Sequence, residues 1–136
     1  DYSARLCETP EALGDFVGAL SDAGVDIFHC STRRFWEPEF EGSDLNLAGW
    51  TKKLTGKPTM TVGSVGLSGE FIGAFMGESS EPTSIDKLLD RLEKDEFDMV
   101  AVGRALLVDP EWPNKIREGR SKDLVPFTKE ALAALA

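Results

Sequence analysis

Apolar side chains follow two rhythms along this chain. In some stretches they recur three and four residues apart; in others they form short unbroken runs. Leu13, Phe16, Val17 and Leu20 follow the first rhythm and predict one apolar helix face. Thr9, Pro10 and Glu11 supply an N-cap, a proline at the first helical position and a first-turn acid, and Gly24 is the stop. Residues 25–30 are a short apolar run with β-branched and aromatic members and predict a buried strand. Residues 31–44 are a polar, charged loop that carries Phe35, Trp36 and Phe40. A second helix is predicted over 45–54, with Leu47, Trp50 and Leu54 on one side and Gly56 at its end. Pro58 then introduces a strand over 59–62.

Residues 63–82 are long and glycine-rich for a connection. Stretches of more than about 15 residues between elements are usually functional or partly structured, so Phe71, Ile72 and Phe75 predict a small helical piece there. Ser84 caps the next helix, whose buried face is predicted as Ile85, Leu88, Leu89 and Leu92. A third strand follows over 99–102. Asp109-Pro110 opens a short helix ending near Gly119, and 128–136 form a last amphipathic helix. Helices alternating with short apolar strands, whose starts lie roughly 35 to 40 residues apart, predict an α/β fold with parallel strands and right-handed crossovers.

Three strands cannot close an eight-stranded barrel, which takes about 250 residues. A free three-stranded sheet exposes its edges. The chain is therefore expected to be part of a barrel, or to have its edges covered by another copy, a homo-oligomer. The start at Asp1, without methionine, fits a cut chain, a boundary chosen for expression, or processing.

Composition narrows the partners. The net charge is −9, with 15 Lys+Arg against 24 Asp+Glu, which disfavours nucleic acid and anionic membrane surfaces. One local arginine site for a small phosphate remains compatible with it. No apolar run approaches the roughly 20 residues of a membrane span, and no basic-then-apolar leader opens the chain. Cys7 and Cys30 have no metal-ligand spacing, so a cytoplasmic protein with reduced thiols and no metal is expected.

The chemistry concentrates at two strand ends. Phe97-Asp98-Met99-Val100-Ala101-Val102 runs into Gly103-Arg104, and Thr59-Met60-Thr61-Val62 runs into Gly63-Ser64-Val65-Gly66. Glycine lets a ligand approach the backbone, and the guanidinium fork fits phosphate oxygens. Arg104 is read as a phosphate ligand rather than a helix C-terminal ion-pair partner. His29, the single histidine, lies in an apolar run and reads as a satisfied core residue. Being alone, it excludes a two-histidine metal site within this chain. Cys30 reads as a small core residue. The Gly63-Ser64-Val65-Gly66 stretch lacks the Gly-x-Ser-x-Gly spacing of a hydrolase elbow, so Ser64 is not read as a nucleophile. The acidic stretch 78–96 reads as a solvated helix face.

Together, Asp26-Ile27-Phe28-His29-Cys30-Ser31, Val62-Gly63-Ser64-Val65-Gly66 and the run from Asp98 through Gly103-Arg104-Ala105-Leu106-Leu107-Val108-Asp109-Pro110-Glu111-Trp112-Pro113 resemble the Old Yellow Enzyme family. These are FMN-dependent ene-reductases, also called NADH:flavin oxidoreductases. The resemblance covers about 24–119 and rests chiefly on Gly-Arg-Ala-Leu-Leu-x-Asp-Pro-x-Trp-Pro. It implies a single partial domain over 1–136 with no internal linker, the C-terminal portion (about strands 6–8 with their helices) of a (β/α)8 TIM barrel.

The resemblance also implies FMN at the carboxyl ends of the strands, with its phosphate held by Gly63 and Ser64 after one strand and by Gly103 and Arg104 after the next. NADH or NADPH would serve as reductant, and an activated alkene would accept a hydride at its β-carbon. Phe35 and Trp36, in the loop after the sixth strand, are the expected substrate-binding residues. No catalytic residue carries over, because the family's catalytic groups belong to its N-terminal half. The chain alone is therefore expected to be inactive. Two rival readings remain: a self-associating half-barrel that binds phosphate or is structural, without redox activity, and a different phosphate-binding barrel enzyme.

Overall fold

In a computed structural model, which describes residues 4–133, three parallel strands lie in the order β1-β2-β3. They are β1 (Phe28–Ser31), β2 (Thr59–Val62) and β3 (Met99–Val100). Helix α1 (Pro10–Asp22) precedes β1, and α2 (Leu47–Thr55) connects β1 to β2. Then α3 (Phe71–Phe75) and α4 (Asp86–Glu93) lie between β2 and β3, and α5 (Arg104–Val108) and α6 (Trp112–Arg117) follow. Two 3-10 turns, Ser121–Asp123 and Lys129–Ala133, close the described chain.

Local chemistry sets the boundaries. The Thr9 hydroxyl accepts the Ala12 N–H at 3.2 Å and starts α1. Asn46 does the same for α2 and does more. Its Oδ1 accepts the Gly49 N–H at 2.9 Å, while its Nδ2 donates to the Phe35 carbonyl at 2.7 Å and the Thr61 hydroxyl at 3.1 Å. One fully buried side chain thus caps a helix, holds the loop after β1 and touches β2. Glu70 caps α3, the small helical piece expected from Phe71, Ile72 and Phe75.

Several expectations are corrected. The first strand begins at Phe28, where the Phe28 N–H donates to the Pro58 carbonyl at 3.1 Å; residues 25–27 precede the sheet. The third strand is the pair Met99–Val100, because β2 is the strand it pairs with and the chain turns at Gly103. Helix α5 forms directly after Gly103 and was not expected. Asp109 does not cap the following helix, which starts at Trp112. The last amphipathic helix is a short 3-10 turn over Lys129–Ala133, and 134–136 lie outside the described residues.

The helices cover one face of the sheet. Phe28, Cys30, Thr59 and Thr61 are buried on the face where α2 packs, with α1 against α2, whereas His29 and Ser31 are exposed on the opposite face. His29 is therefore not a core histidine; it stands in register beside Met60, which is itself in register with Met99. The apolar helix faces are also covered by halves. Leu13, Val17 and Leu88 are buried, but Phe16, Leu20, Leu89 and Leu92 stay exposed, because a three-stranded sheet gives each helix too little to pack on. Cys30 is core, as expected: burial pushes its thiol upward, against a 3.7 Å contact with the Thr51 hydroxyl.

Asp109 does a different job from the one its place before proline suggests. It is almost wholly buried and accepts the Lys115 ammonium at 2.8 Å, which also donates to the Asp123 carbonyl at 2.9 Å. This pair ties the end of α5 to α6 and the turn after it. Asp109→Asn is expected to destabilise the fold by about 3 kcal/mol, because it leaves a mostly buried ammonium without its counter-charge. Denaturant midpoints of the two proteins check this.

Candidate functional site

The loops that leave the three strands are laced together at their carboxyl ends. The Thr32 hydroxyl donates to the Val62 carbonyl at 2.9 Å, and the Phe35 N–H donates to the Gly63 carbonyl at 3.1 Å. At Gly63 φ is +149°, and an added Cβ would sit 2.6 Å from the Thr32 carbonyl oxygen. Only glycine lets the two loops approach this closely.

Next to it, Ser64 takes φ +49°, unusual for a residue with a side chain. Its hydroxyl lies 3.1 Å from the Arg33 carbonyl and 3.0 Å from the Gly69 carbonyl. The hydroxyl proton is thus directed at loop carbonyls, and the side chain works as a rivet between the loops after β1 and β2. Further on, Gly66 lies against the Trp112 indole, with 2.9 Å between an added Cβ and the ring. That contact gives a structural role to the tryptophan of the Gly-Arg-…-Asp-Pro-x-Trp run.

Arg104 joins the third loop to the second. Its guanidinium donates to the Gly69 carbonyl at 2.6 Å and the Glu70 carbonyl at 3.2 Å, and it lies 5.4 Å from the centre of the Phe127 ring. Phe127 is fully buried and exchanges two 2.9 Å backbone hydrogen bonds with Ser80, whose hydroxyl accepts the Gly69 N–H at 2.7 Å. The carboxyl-terminal segment therefore supports the loop that Arg104 holds. Burial pushes Glu70 upward, but the N–H groups of Gly73 and Ile72, with Arg33 and Arg34 nearby, hold it below the usual glutamate range.

Gly63, Ser64, Gly103 and Arg104 line one open cavity of about 370 Å³, bordered on its apolar side by Phe71 and Leu107. The four residues singled out from two separate motifs are thus brought together. An added Cβ on Gly103 would meet no atom within 4 Å, so its backbone borders open space. Sequence reasoning missed Arg33, a second guanidinium on the same cavity. Its signal was the Arg33-Arg34 pair in an acidic chain, at the end of a strand.

Phe35 and Trp36 are not on this cavity. Phe35 is buried, packs edge-on against Trp36 at 5.0 Å, and presents its carbonyl to Asn46 and to Arg91 at 3.0 Å. Both residues border a separate cavity of about 330 Å³ with Lys87 and Thr83. Among the described residues no cluster of three or more His, Cys, Asp or Glu could hold a metal ion, and no helix is long and apolar enough to cross a membrane.

Comparison with known proteins adds the lineage. No family model matches the chain. It is 34% identical over 113 residues to an NADH oxidase of Thermoanaerobacter brockii, covering 77% of this chain and 15% of that protein. It is 28% identical over 129 residues to a bilirubin reductase of Clostridium symbiosum, covering 86% of this chain and 30% of that protein. The fold is similar to morphinone reductase, with a TM-score of 0.50 and 18% identity, over 81% of this chain and 24% of that structure.

The chain belongs with the Old Yellow Enzyme-like NADH:flavin oxidoreductases. This Old Yellow Enzyme-like chain spans under a third of the length of either curated relative. Its three parallel strands correspond to a small part of the morphinone reductase fold.

The cavity carries the donors of a small-anion site. Two guanidiniums, glycine backbone on two loops and open space beside Gly103 suit a small dianion, and the site lies where parallel α/β folds commonly hold phosphates.

Proposed function

We propose that this chain is the C-terminal portion, about strands 6–8, of a (β/α)8 barrel in an FMN-dependent NAD(P)H oxidoreductase that reduces activated alkenes. The observation that carries this is the single cavity bordered by Gly63, Ser64, Gly103 and Arg104, at the carboxyl ends of neighbouring parallel strands. The names of the relatives, an oxidase and a reductase, support the reaction class.

In this reading FMN, when bound, supplies hydride transfer from the nicotinamide to the alkene. The chain's own residues do the positioning. Arg104 and Arg33 would neutralise the phosphate, and the backbone at Gly63 and Gly103 would let it approach. Ser64 would keep the two loops at a fixed spacing. Phe35 would serve indirectly, its carbonyl fixing the loop that carries Arg33, with Trp36 packed on its edge.

The uncovered sheet face around His29 and Met60 supports a barrel whose other strands complete the layer. The same face also suits a second reading, a half-barrel closed by a second copy. Mass in solution separates them: the 136-residue chain as a stable dimer without flavin favours self-association.

The test of the main reading has two arms. The intact protein is expected to purify yellow, with one FMN per chain. The 136-residue chain supplied with FMN and NADPH is expected to leave an enone unreduced. A colourless intact protein that gains no flavin overturns the cofactor assignment. Enone turnover by the short chain overturns its dependence on the remainder.

A further inference from the structure

A second cavity, of about 360 Å³, opens on the other side of the β1 carboxyl end. Three guanidiniums border it, those of Arg5, Arg33 and Arg34, together with the carboxylates of Glu37 and Glu39. In a chain with 15 basic and 24 acidic side chains, three arginines at one opening run against the overall balance.

Folding gives a thin reason for Arg5 and Arg34. The Arg34–Glu37 pair measures 2.9 Å, but its side chains are 28% and 43% exposed, and such solvated pairs contribute between nothing and about 1 kcal/mol. Arg5 donates to the Glu39 carbonyl at 3.2 Å, which brings the segment before α1 over the cavity. Burial pushes the Glu39 carboxyl upward, with Arg5 opposing it.

Position adds the functional link. Ser31, Thr32 and Arg33 border both this cavity and the one assigned to the flavin phosphate. The two spaces are therefore separated by the end of a single strand, and neighbouring strands lie only about 4.8 Å apart. A guanidinium fork matches carboxylate and phosphate oxygens equally well.

We propose that this arginine cavity binds the anionic group, a carboxylate or a phosphate, of the second ligand that reacts at the flavin. The inference rests on the flavin reading above. Glu37 is the resident counter-ion: its half-exposed carboxylate holds Arg34 in the absence of ligand and swings into solvent when a stronger anion arrives. The site thereby selects among reactants, favouring an alkene acid over its neutral ester, or a phosphorylated reductant, without touching the reacting carbon.

The experiment is titration calorimetry on the intact protein with four probes: NADPH, NADH, cinnamate and methyl cinnamate. Wild type, Arg34→Gln and Glu37→Gln are compared. Loss of a charge-assisted contact is expected to weaken an anionic probe by about tenfold or more in Arg34→Gln, with methyl cinnamate unchanged. Glu37→Gln, which removes the competing carboxylate, is expected to bind the same probe more tightly.

Weakened NADPH and NADH with unchanged cinnamate identifies phosphate as the group, and the reverse identifies carboxylate. The proposal is overturned if all probes keep wild-type affinity in both variants, if acid and ester weaken together, or if wild type binds no anionic probe. A colourless protein with the Arg34-dependent affinity sinks the flavin reading alone; a yellow protein without that affinity sinks this one alone.

Discussion

Gly63→Ala is expected to destabilise the protein by about 2 to 5 kcal/mol and, on the proposed flavin reading, to abolish flavin retention. Two penalties combine. A side chain at φ +149° is strained, a cost of order 1 to 3 kcal/mol. The new Cβ also falls 2.6 Å from the Thr32 carbonyl oxygen and 3.0 Å from the Arg34 nitrogen, both backbone atoms that move only if the loop after β1 moves. That movement breaks the Phe35 N–H bond to the Gly63 carbonyl and displaces Arg33 from the cavity. Domains are stable by only about 5 to 15 kcal/mol, so the loss is a large fraction of the whole.

Gly103→Ala is the informative companion. Its φ is −98° and its Cβ meets nothing, so the folded chain accepts the methyl group at small cost. The methyl group instead enters the space assigned to the ligand. The expected pair of results is a lowered unfolding midpoint for Gly63→Ala, and an unchanged midpoint with weakened FMN binding for Gly103→Ala. Full flavin content in Gly103→Ala would remove that glycine from the site.

The legible parts of the fold were those set by local chemistry. Thr9-Pro10-Glu11 starts α1, the strand Thr59–Val62 falls after Pro58, and Phe71, Ile72 and Phe75 mark α3; each depends on neighbours in sequence. The errors came from tertiary partners. An apolar run around His29 reads as a buried strand, but burial depends on what covers each face, and here only one face is covered. Helix α5 has too few residues to show a period, so Gly103-Arg104 read as a bare strand end.

The site was legible where a motif carried it and hidden where long-range contacts built it. Gly63, Ser64, Gly103 and Arg104 stood out by type. Nothing local revealed that the Ser64 hydroxyl is directed at the Arg33 and Gly69 carbonyls, or that Phe127 stacks beneath Arg104. Arg33 escaped notice because two adjacent arginines in a loop look solvated until β2 is placed beside them.

Arg104 separates anchoring from binding, and two substitutions resolve the roles. Arg104→Met removes the donors to the Gly69 and Glu70 carbonyls, each a mostly buried acceptor costing about 1 to 3 kcal/mol if left unmade. It also removes one of two cations from the cavity, and FMN affinity is expected to fall by about 10- to 100-fold, the worth of a charge-assisted hydrogen bond. Arg104→Lys returns the charge without the planar fork. A lysine ammonium attracts a phosphate but does not hold two successive carbonyls and lie against the Phe127 ring in one geometry. The lysine variant is therefore expected to recover part of the FMN affinity, while hydrogen exchange over residues 69–82 stays as fast as in the methionine variant. Equal FMN affinity in wild type and Arg104→Met would confine this arginine to loop support and leave Arg33 as the phosphate's cation.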